Sequence, residues 1–439
     1  MDSARRVTRL PVTTPPALVR AIGRGSLTAG VVNAVVGSAI FGMPATIAAL
    51  TGAWSPLAVL LAGLGIFPIV LCFAEVGSRF DAAGGPYLYA RTAYGPVVGF
   101  HVGWLLLWTR ILSGAAVLNV LVAYLEQLLP WVGTPLGRAV AMTVAVALVT
   151  AINVRGVRQA AWTVNLFTVA KLLPLLLVIV LGAVHLRREV LVTQLVAAPG
   201  WTEAVLLLVF AYGGFESAVV AAGETRRPRD DTAFALVAAM AVITAVYALT
   251  QLAVVGVLPN AAASKAPIAD ALQATLGAGG TAVGSVAAVI STYGWLTGFA
   301  LLLPRVLFSM AERGELPAAF TRVHPAFRTP HVAVVACSLA ALGLGLYGTF
   351  AATATLSAIS RLVIFGVTCA SLVTLRRQGG PAPGFVLPGG VAFAAMGIAF
   401  TLWLLTTRSL AQSWGLGAIV AAGAVVWWWG ARRRRAVSS

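Results

Sequence analysis

Apolar runs of membrane-crossing length, roughly 20 residues each, recur along nearly the whole chain and are separated by short polar joints. They predict helices near residues 28–50, 54–76, 97–126, 136–154, 160–184, 203–223, 232–257, 279–312, 332–347, 351–376, 386–407 and 411–431. The pattern is that of an all-α polytopic membrane protein with twelve transmembrane helices.

Two of the runs are interrupted by glycine-rich breaks at matching places, roughly 175 positions apart. The first is broken at Gly37-Ser38-Ala39-Ile40-Phe41-Gly42-Met43-Pro44, the second at Ala211-Tyr212-Gly213-Gly214-Phe215. Unwinding a helix in lipid frees N–H and C=O groups that have no water to bond. Paired breaks in two halves of a chain therefore point to a transporter's binding site. Close helix packing is the alternative reading of the glycines, and it leaves the pairing unexplained.

Charge sets the orientation. With the N-terminus in the cytosol and spans alternating, the inside segments hold 22 of the Lys and Arg residues and the outside segments 5, with Arg110, Lys171 and Arg361 inside spans. The positive-inside bias places both termini in the cytosol. Five spans precede the second broken helix, so the second unit enters from the opposite side. The expected organisation is a cytosolic tail (1–25), a first five-helix repeat (26–184), an inverted second repeat (203–376), two additional helices (386–431) and a basic cytosolic tail (432–439). Helices 1 and 6 are the discontinuous ones.

Composition agrees and narrows the chemistry. Hydrophobic residues make up 59% of the chain and charged residues 10%, far below the roughly 25% charged of soluble domains. The net charge of +17 is dispersed between apolar runs, which argues against nucleic-acid binding. Thirteen acidic residues without an Asp-x-x-x-Asp pattern argue against a membrane enzyme. Cys72, Cys337 and Cys369 lie in apolar runs and read as packed free thiols. No His/Cys spacing suits a metal, and no cofactor is expected.

The motifs resemble those of the amino acid–polyamine–organocation (APC) superfamily of permeases. The resemblance rests on the first break, and on Ala74-Glu75-Val76-Gly77-Ser78-Arg79-Phe80, Ala83-Gly84-Gly85-Pro86-Tyr87-Leu88-Tyr89 and Tyr94-Gly95-Pro96. It continues in Phe210-Ala211-Tyr212-Gly213-Gly214-Phe215-Glu216, Gly223-Glu224-Thr225-Arg226-Arg227-Pro228 and, after Arg305, Ala311-Glu312-Arg313-Gly314-Glu315-Leu316-Pro317. Similarity spans roughly residues 25–376. Ala39 stands where the family usually has the second glycine of Gly-Ser-Gly.

The resemblance implies an amino acid substrate held by unwound backbone. Both ends of a zwitterion need partners in a low-dielectric pocket. The N–H groups of Ser38, Ala39 and Ile40, at the start of a half-helix, suit the carboxylate. The carbonyls of Val35, Val36, Phe210, Ala211 and Gly213 suit the ammonium, with Gly37 and Gly214 in the breaks and Phe210 covering the outward side. Small Ala39, Gly213 and Gly214, and no carboxylate clearly facing the pocket, favour an uncharged amino acid over a cationic one.

Lys171 lies roughly 20 Å along its helix from Arg158, and an ionisable group at that depth is a functional candidate. In proton-coupled relatives a fifth-helix lysine resembling it occupies the second sodium site of sodium-coupled carriers. Ser291 and Thr292 are the matching eighth-helix hydroxyls. Glu216 is a second proton-coupling candidate or a structural partner of the break. Arg110 and Arg361 need anionic partners, with Glu75, Glu126 and Glu216 as candidates. Glu224, Asp230 and Asp231 with Arg226, Arg227 and Arg229 read as a cytosolic loop network. The expected protein is a proton-coupled amino acid importer of the cytoplasmic membrane. An exchanger, or a carrier of cationic amino acids or polyamines, is the alternative.

Overall fold

A computed structural model describes residues 23–80, 84–155, 161–194, 199–216 and 228–438. No strand occurs among them. The chain begins with α1 (Arg24–Val35), α2 (Ala39–Thr51), α3 (Ser55–Gly77), α4 (Gly85–Tyr94), α5 (Pro96–Leu128) and α6 (Pro135–Arg155). It continues with α7 (Ala161–His185), α8 (Arg188–Thr193), α9 (Trp201–Ala211), α10 (Pro228–Val257), α11 (Pro267–Leu276) and α12 (Ala278–Glu312). The final helices are α13 (His331–Tyr347), α14 (Phe350–Arg377), α15 (Gly390–Thr406) and α16 (Leu410–Ser438).

Local chemistry places the joints. Gly95 turns between α4 and α5 with φ of 88°, and Pro96 opens α5 where its missing N–H costs nothing. Gly277, φ 73°, does the same between α11 and α12. The Thr349 hydroxyl caps α14 by accepting from Ala352 N at 3.2 Å.

Seven helical stretches among the described residues, Pro96–Leu128 and Phe350–Arg377 among them, are long and apolar enough to cross a membrane. Shorter apolar helices such as Trp201–Ala211 and Gly390–Thr406 accompany them. Leu64, Leu136 and Val184 are at least 70% exposed. Large apolar side chains turned outward are what a lipid solvent permits. This is an integral membrane protein.

Inside, two apolar clusters form. One gathers α1, α2, α3, α9, α10 and α14 around Phe41, Phe73, Phe215 and Phe365. The other gathers α5, α6, α12 and α13 around Leu112, Leu118, Leu296 and Leu303. Two ionic ties hold loop ends to the bundle. Glu75 of α3 accepts from Arg79 (2.9 Å), from Arg376 of α14 and from Leu387 N (2.9 Å). Glu315 accepts from Arg91 of α4 at 2.6 Å and from the Tyr87 hydroxyl at 3.2 Å.

The structure adds three short helices that the apolar pattern misses, α4, α8 and α11. The expected cytosolic loop network lies mostly outside the described residues, as do residues 1–22, Arg158 and residues 223–227 of the resemblance. Of that network the structure places Asp231, which accepts from Arg24 of α1 at 3.0 Å.

Candidate functional site

α1 stops at Val35 and α2 starts at Ala39, so Val36, Gly37 and Ser38 lie outside both helices. Val36 N still bonds Val32 O (2.8 Å), and Gly37 N bonds Val35 O (2.7 Å). Among the described residues no protein acceptor meets the N–H groups of Ser38, Ala39 and Ile40. Ser38 occupies the N-cap of α2 without a side-chain cap bond. The start of α2 thus presents unused donors and the positive end of a helix dipole.

The second break follows Ala211, where α9 ends. Gly213 N turns back to Phe210 O at 3.1 Å. Gly214 has φ of 126°, and a Cβ there would stand 2.6 Å from Ala34 O. Only glycine combines that backbone angle with so close an approach to α1. Gly214 N donates to Glu216 Oε2 at 2.8 Å. The two breaks therefore touch. Tyr247 of α10 joins them again: its hydroxyl lies 3.0 Å from Val35 O and 3.3 Å from Ala211 O.

Beside the breaks lies a narrow cavity. Of the expected substrate residues, Val35, Gly37, Ser38, Ala39, Phe210, Ala211 and Gly213 line it. Val36, Ile40 and Gly214 do not contribute to its wall. Several expected ammonium acceptors already carry donors: Val35 O and Ala211 O bond Tyr247, and Phe210 O bonds Gly213 N. Phe210 meets Phe350 edge to face, with centroids 6.2 Å apart. Trp295 of α12 closes another side, within 2.8 Å of where a Gly37 Cβ would stand. The wall draws on both apolar clusters, Val35 and Phe210 from one and Val117 and Trp295 from the other.

The same wall includes Arg110 of α5 and Arg361 of α14. Both face Glu216: Arg361 Nη1 bonds Glu216 Oε1, and Arg110 Nη2 stands 3.6 Å from that oxygen. The other candidate partners are engaged elsewhere. Glu75 holds Arg79 and Arg376, and Glu126 takes Lys265 at 3.2 Å.

Lys171 of α7 is 7% exposed, and its Nζ donates to Asn33 O of α1 at 2.6 Å. The two hydroxyls expected near it do not bond it. Thr292 donates to Ala288 O (2.7 Å) and Val289 O (3.0 Å) of its own helix, and the buried Ser291 Oγ has no partner among the described residues.

Tyr247, Gln251 and Trp295 escaped the sequence reading. Gln251 donates to Pro44 O (3.0 Å) and Ser55 Oγ (2.9 Å), bracing α2. A signal existed for two of them: Thr244, Tyr247 and Gln251 form a polar stripe at helical spacing along an apolar helix.

Interrupted helices, unused helix-terminal donors and a small buried cavity with a charged wall define a membrane carrier's architecture. The family model for amino acid permeases matches residues 22–431. The chain belongs to that amino acid permease family, within the APC superfamily. It is 30% identical over 317 residues to the serine/threonine exchanger SteT of Bacillus subtilis, covering 69% of this chain and 71% of that one. It is 28% identical to a methylthioribose transporter of the same organism, covering 82% of each chain. It is 26% identical to the branched-chain amino acid permease BcaP, also from that organism, covering 88% of each. These relatives are named transporters, and the protein is not an enzyme.

Proposed function

We propose that the protein imports a small neutral amino acid together with a proton by alternating access across the cytoplasmic membrane. The observation that carries this reading is the pair of touching breaks beside one cavity, with the N–H groups of Ser38, Ala39 and Ile40 unused at the start of α2. They suit a carboxylate. The Ser38 hydroxyl adds a donor, and Phe210 covers the site. Carbonyl oxygens have two lone pairs, so Ala211 and Phe210 accept an ammonium beside their present donors, while Val35 O is already filled by Gly37 N and the Tyr247 hydroxyl.

In this reading Lys171 is the proton-linked group. Its ammonium ties α7 to Asn33 O of α1, next to the first break, and deprotonation releases α1 to move. Ser291 and Thr292 take part when α12 shifts. Glu216 holds the second break through Gly214 N and couples it to Arg361. The cavity lies at the seam between the two apolar clusters, where one cluster rocking on the other would open it to either side. Twelve spans follow in two inverted repeats, 26–184 and 203–376, with two further helices at 386–431 and both termini cytosolic. Two guanidiniums in the wall weigh against a cationic amino acid or polyamine.

The test is uptake by purified protein in sealed vesicles, using a panel of labelled amino acids. Accumulation driven by an acid-outside pH gradient is the expected result. Gradient-independent uptake, or an absolute sodium requirement, would overturn the coupling. The similarity to a named exchanger supports exchange as a second reading. Uptake that needs internal amino acid and ignores the gradient would select it.

A further inference from the structure

Between α12 and α13 the chain makes a tight hairpin that takes no part in the cavity. His324 N bonds Thr329 O at 2.8 Å, and Arg328 N bonds His324 O at 2.9 Å. Ala326 N and Phe327 N both reach His324 Nδ1 at 3.3 Å, and the His324 and Phe327 rings lie 4.6 Å apart. Thr329 Oγ1 ties the hairpin to Val154 O at the end of α6. This folding puts Arg328 at a φ of 57°, the one positive φ of a non-glycine residue among those described. A long side chain is disfavoured at that angle. What the hairpin gains is an exposed guanidinium at a fixed place. Two apolar side chains of the same segment are exposed as well, Val323 at 43% and Phe327 at 42%. Each stands next to an exposed arginine in the chain, Arg322 or Arg328.

Charge here is one-sided. α6, α12, α13 and the segment joining α12 to α13 contain two carboxylates, Glu312 and Glu315. Glu315 is taken by Arg91 and by the Tyr87 hydroxyl, which also accepts from Arg313 at 2.6 Å. Glu312, exposed at the end of α12, makes no ion pair with the hairpin. The guanidiniums of Arg322, of Arg328 and of Arg155, next to Val154, have no hydrogen bond or ion pair among the described residues. α6 is long and apolar enough to cross a membrane, and it ends at Arg155. The hairpin bonded there lies at the level of the lipid headgroups, where apolar side chains dip inward and cations meet phosphates. We infer that segment 322–328 is a membrane-surface anchor: Val323 and Phe327 enter the interface, and Arg322, Arg328 and Arg155 receive the headgroup phosphate of an anionic phospholipid. Guanidinium forks suit phosphate in geometry as well as charge. A zwitterionic headgroup brings its own cation to compete for that phosphate, and an anionic one does not. The hairpin joins α12 to α13 and bonds α6, three helices of one apolar cluster. A lipid seated there holds that cluster against the membrane surface. The anchor serves in either leaflet, and it is independent of the substrate.

Two measurements on the full chain test this. In the first, phosphatidylglycerol or phosphatidylcholine is added to the detergent-purified protein, and retained lipid is counted by native mass spectrometry. Phosphatidylglycerol is expected to be retained in preference, and Arg322→Gln and Arg328→Gln are each expected to weaken its binding roughly fivefold. Arg328→Gly removes the guanidinium while relaxing the backbone angle, so it should lose as much lipid affinity as Arg328→Gln with no fall in melting temperature. Equal retention of the two lipids, or undiminished phosphatidylglycerol binding in both glutamine variants, would overturn the inference. So would full binding by Arg328→Gly, which would assign the effect to the fold of the hairpin and not to its charge. Inorganic phosphate displacing the lipid would overturn the lipid as occupant. In the second measurement, Ala326→Cys carries an environment-sensitive fluorophore, with the buried native cysteines silent. Blue-shifted emission, quenched by spin-labelled lipid, is expected in vesicles containing phosphatidylglycerol. Emission typical of water in those vesicles would overturn the insertion. Shielding that follows protein concentration in detergent and ignores lipid would assign the face to a second copy of the chain and overturn it too.

Discussion

A single ammonium connects α7 to α1. Lys171 Nζ reaches Asn33 O at 2.6 Å, three residues before the first break opens. A carbonyl accepts from a charged donor strongly in apolar surroundings, and under the proposed coupling the proton on Lys171 sets how firmly α1 is held. Lys171→Met is expected to bind substrate yet fail to accumulate it under a pH gradient, measured as uptake with and without the gradient. Lys171→Arg keeps a permanent charge and is expected to bind without turning over. Full gradient-driven accumulation by the methionine variant would remove Lys171 from coupling. Tyr247 acts at the same scale. One hydroxyl serves Val35 O and Ala211 O, and its loss in Tyr247→Phe takes a donor from both and leaves Ala211 O without this bond, at a cost of roughly 1–3 kcal/mol. A lower melting temperature in detergent, together with weaker binding, is the expected pair of results. Weaker binding at unchanged stability would mean the hydroxyl acts on substrate and not on the breaks.

Elements were legible to different degrees, for physical reasons. Long apolar helices announce themselves, because lipid demands an uninterrupted hydrophobic face: α5, α6, α12 and α14 begin and end within about two residues of their expected limits, inside the usual boundary scatter. The breaks were legible in place, since the helices stop at Val35 and Ala211 beside the glycines, but the first is shorter than expected: α2 is already helical from Ala39, inside the stretch 37–44 read as broken. α4 and α11 were not: each is ten residues long, and short helices lack a span's apolar signature. The second break also shows why its glycines differ in kind. Gly214 needs both its φ of 126° and its approach to Ala34 O. Gly214→Ala is therefore expected to cost roughly 1–3 kcal/mol in backbone strain and to push α1 away from α9. Thermal unfolding should report the first effect, and loss of substrate binding the second. An alanine variant with undiminished binding would show that the contact between the breaks is dispensable.

At the scale of the whole molecule, the sequence showed that buried charges exist and left their pairing open. Glu216 and Arg361 lie 145 positions apart, and Glu75 and Arg376 lie 301 apart. Only the packing of α9 and α3 against α14 brings them together. The same packing sharpens the topology. Lys265 Nζ bonds Glu126 at 3.2 Å, and a Cβ at Gly133 would stand 2.9 Å from Glu126, so positions 133 and 265 share one end of the bundle. Thr329 donates to Val154 O at 2.6 Å, so positions 155 and 328 share another location. Gly133 lies just before the 21-residue α6 and Arg155 ends it; its length is about 32 Å at 1.5 Å per residue, enough to cross the hydrocarbon core. The structure thus groups the four positions into two ends, and charge decides which end meets the cytosol. The second end carries Arg155 and Arg328, while the first carries Lys265. Cysteines introduced at 133 and 265 are expected to react with an impermeant thiol reagent added outside intact cells, and those at 155 and 328 only after permeabilisation. Cys72, Cys337 and Cys369 are buried, so background labelling should be low. Reversed labelling of all four would invert the orientation while leaving the grouping intact. Labelling that split 133 from 265 would break the grouping itself, and with it the path of α6 across the membrane.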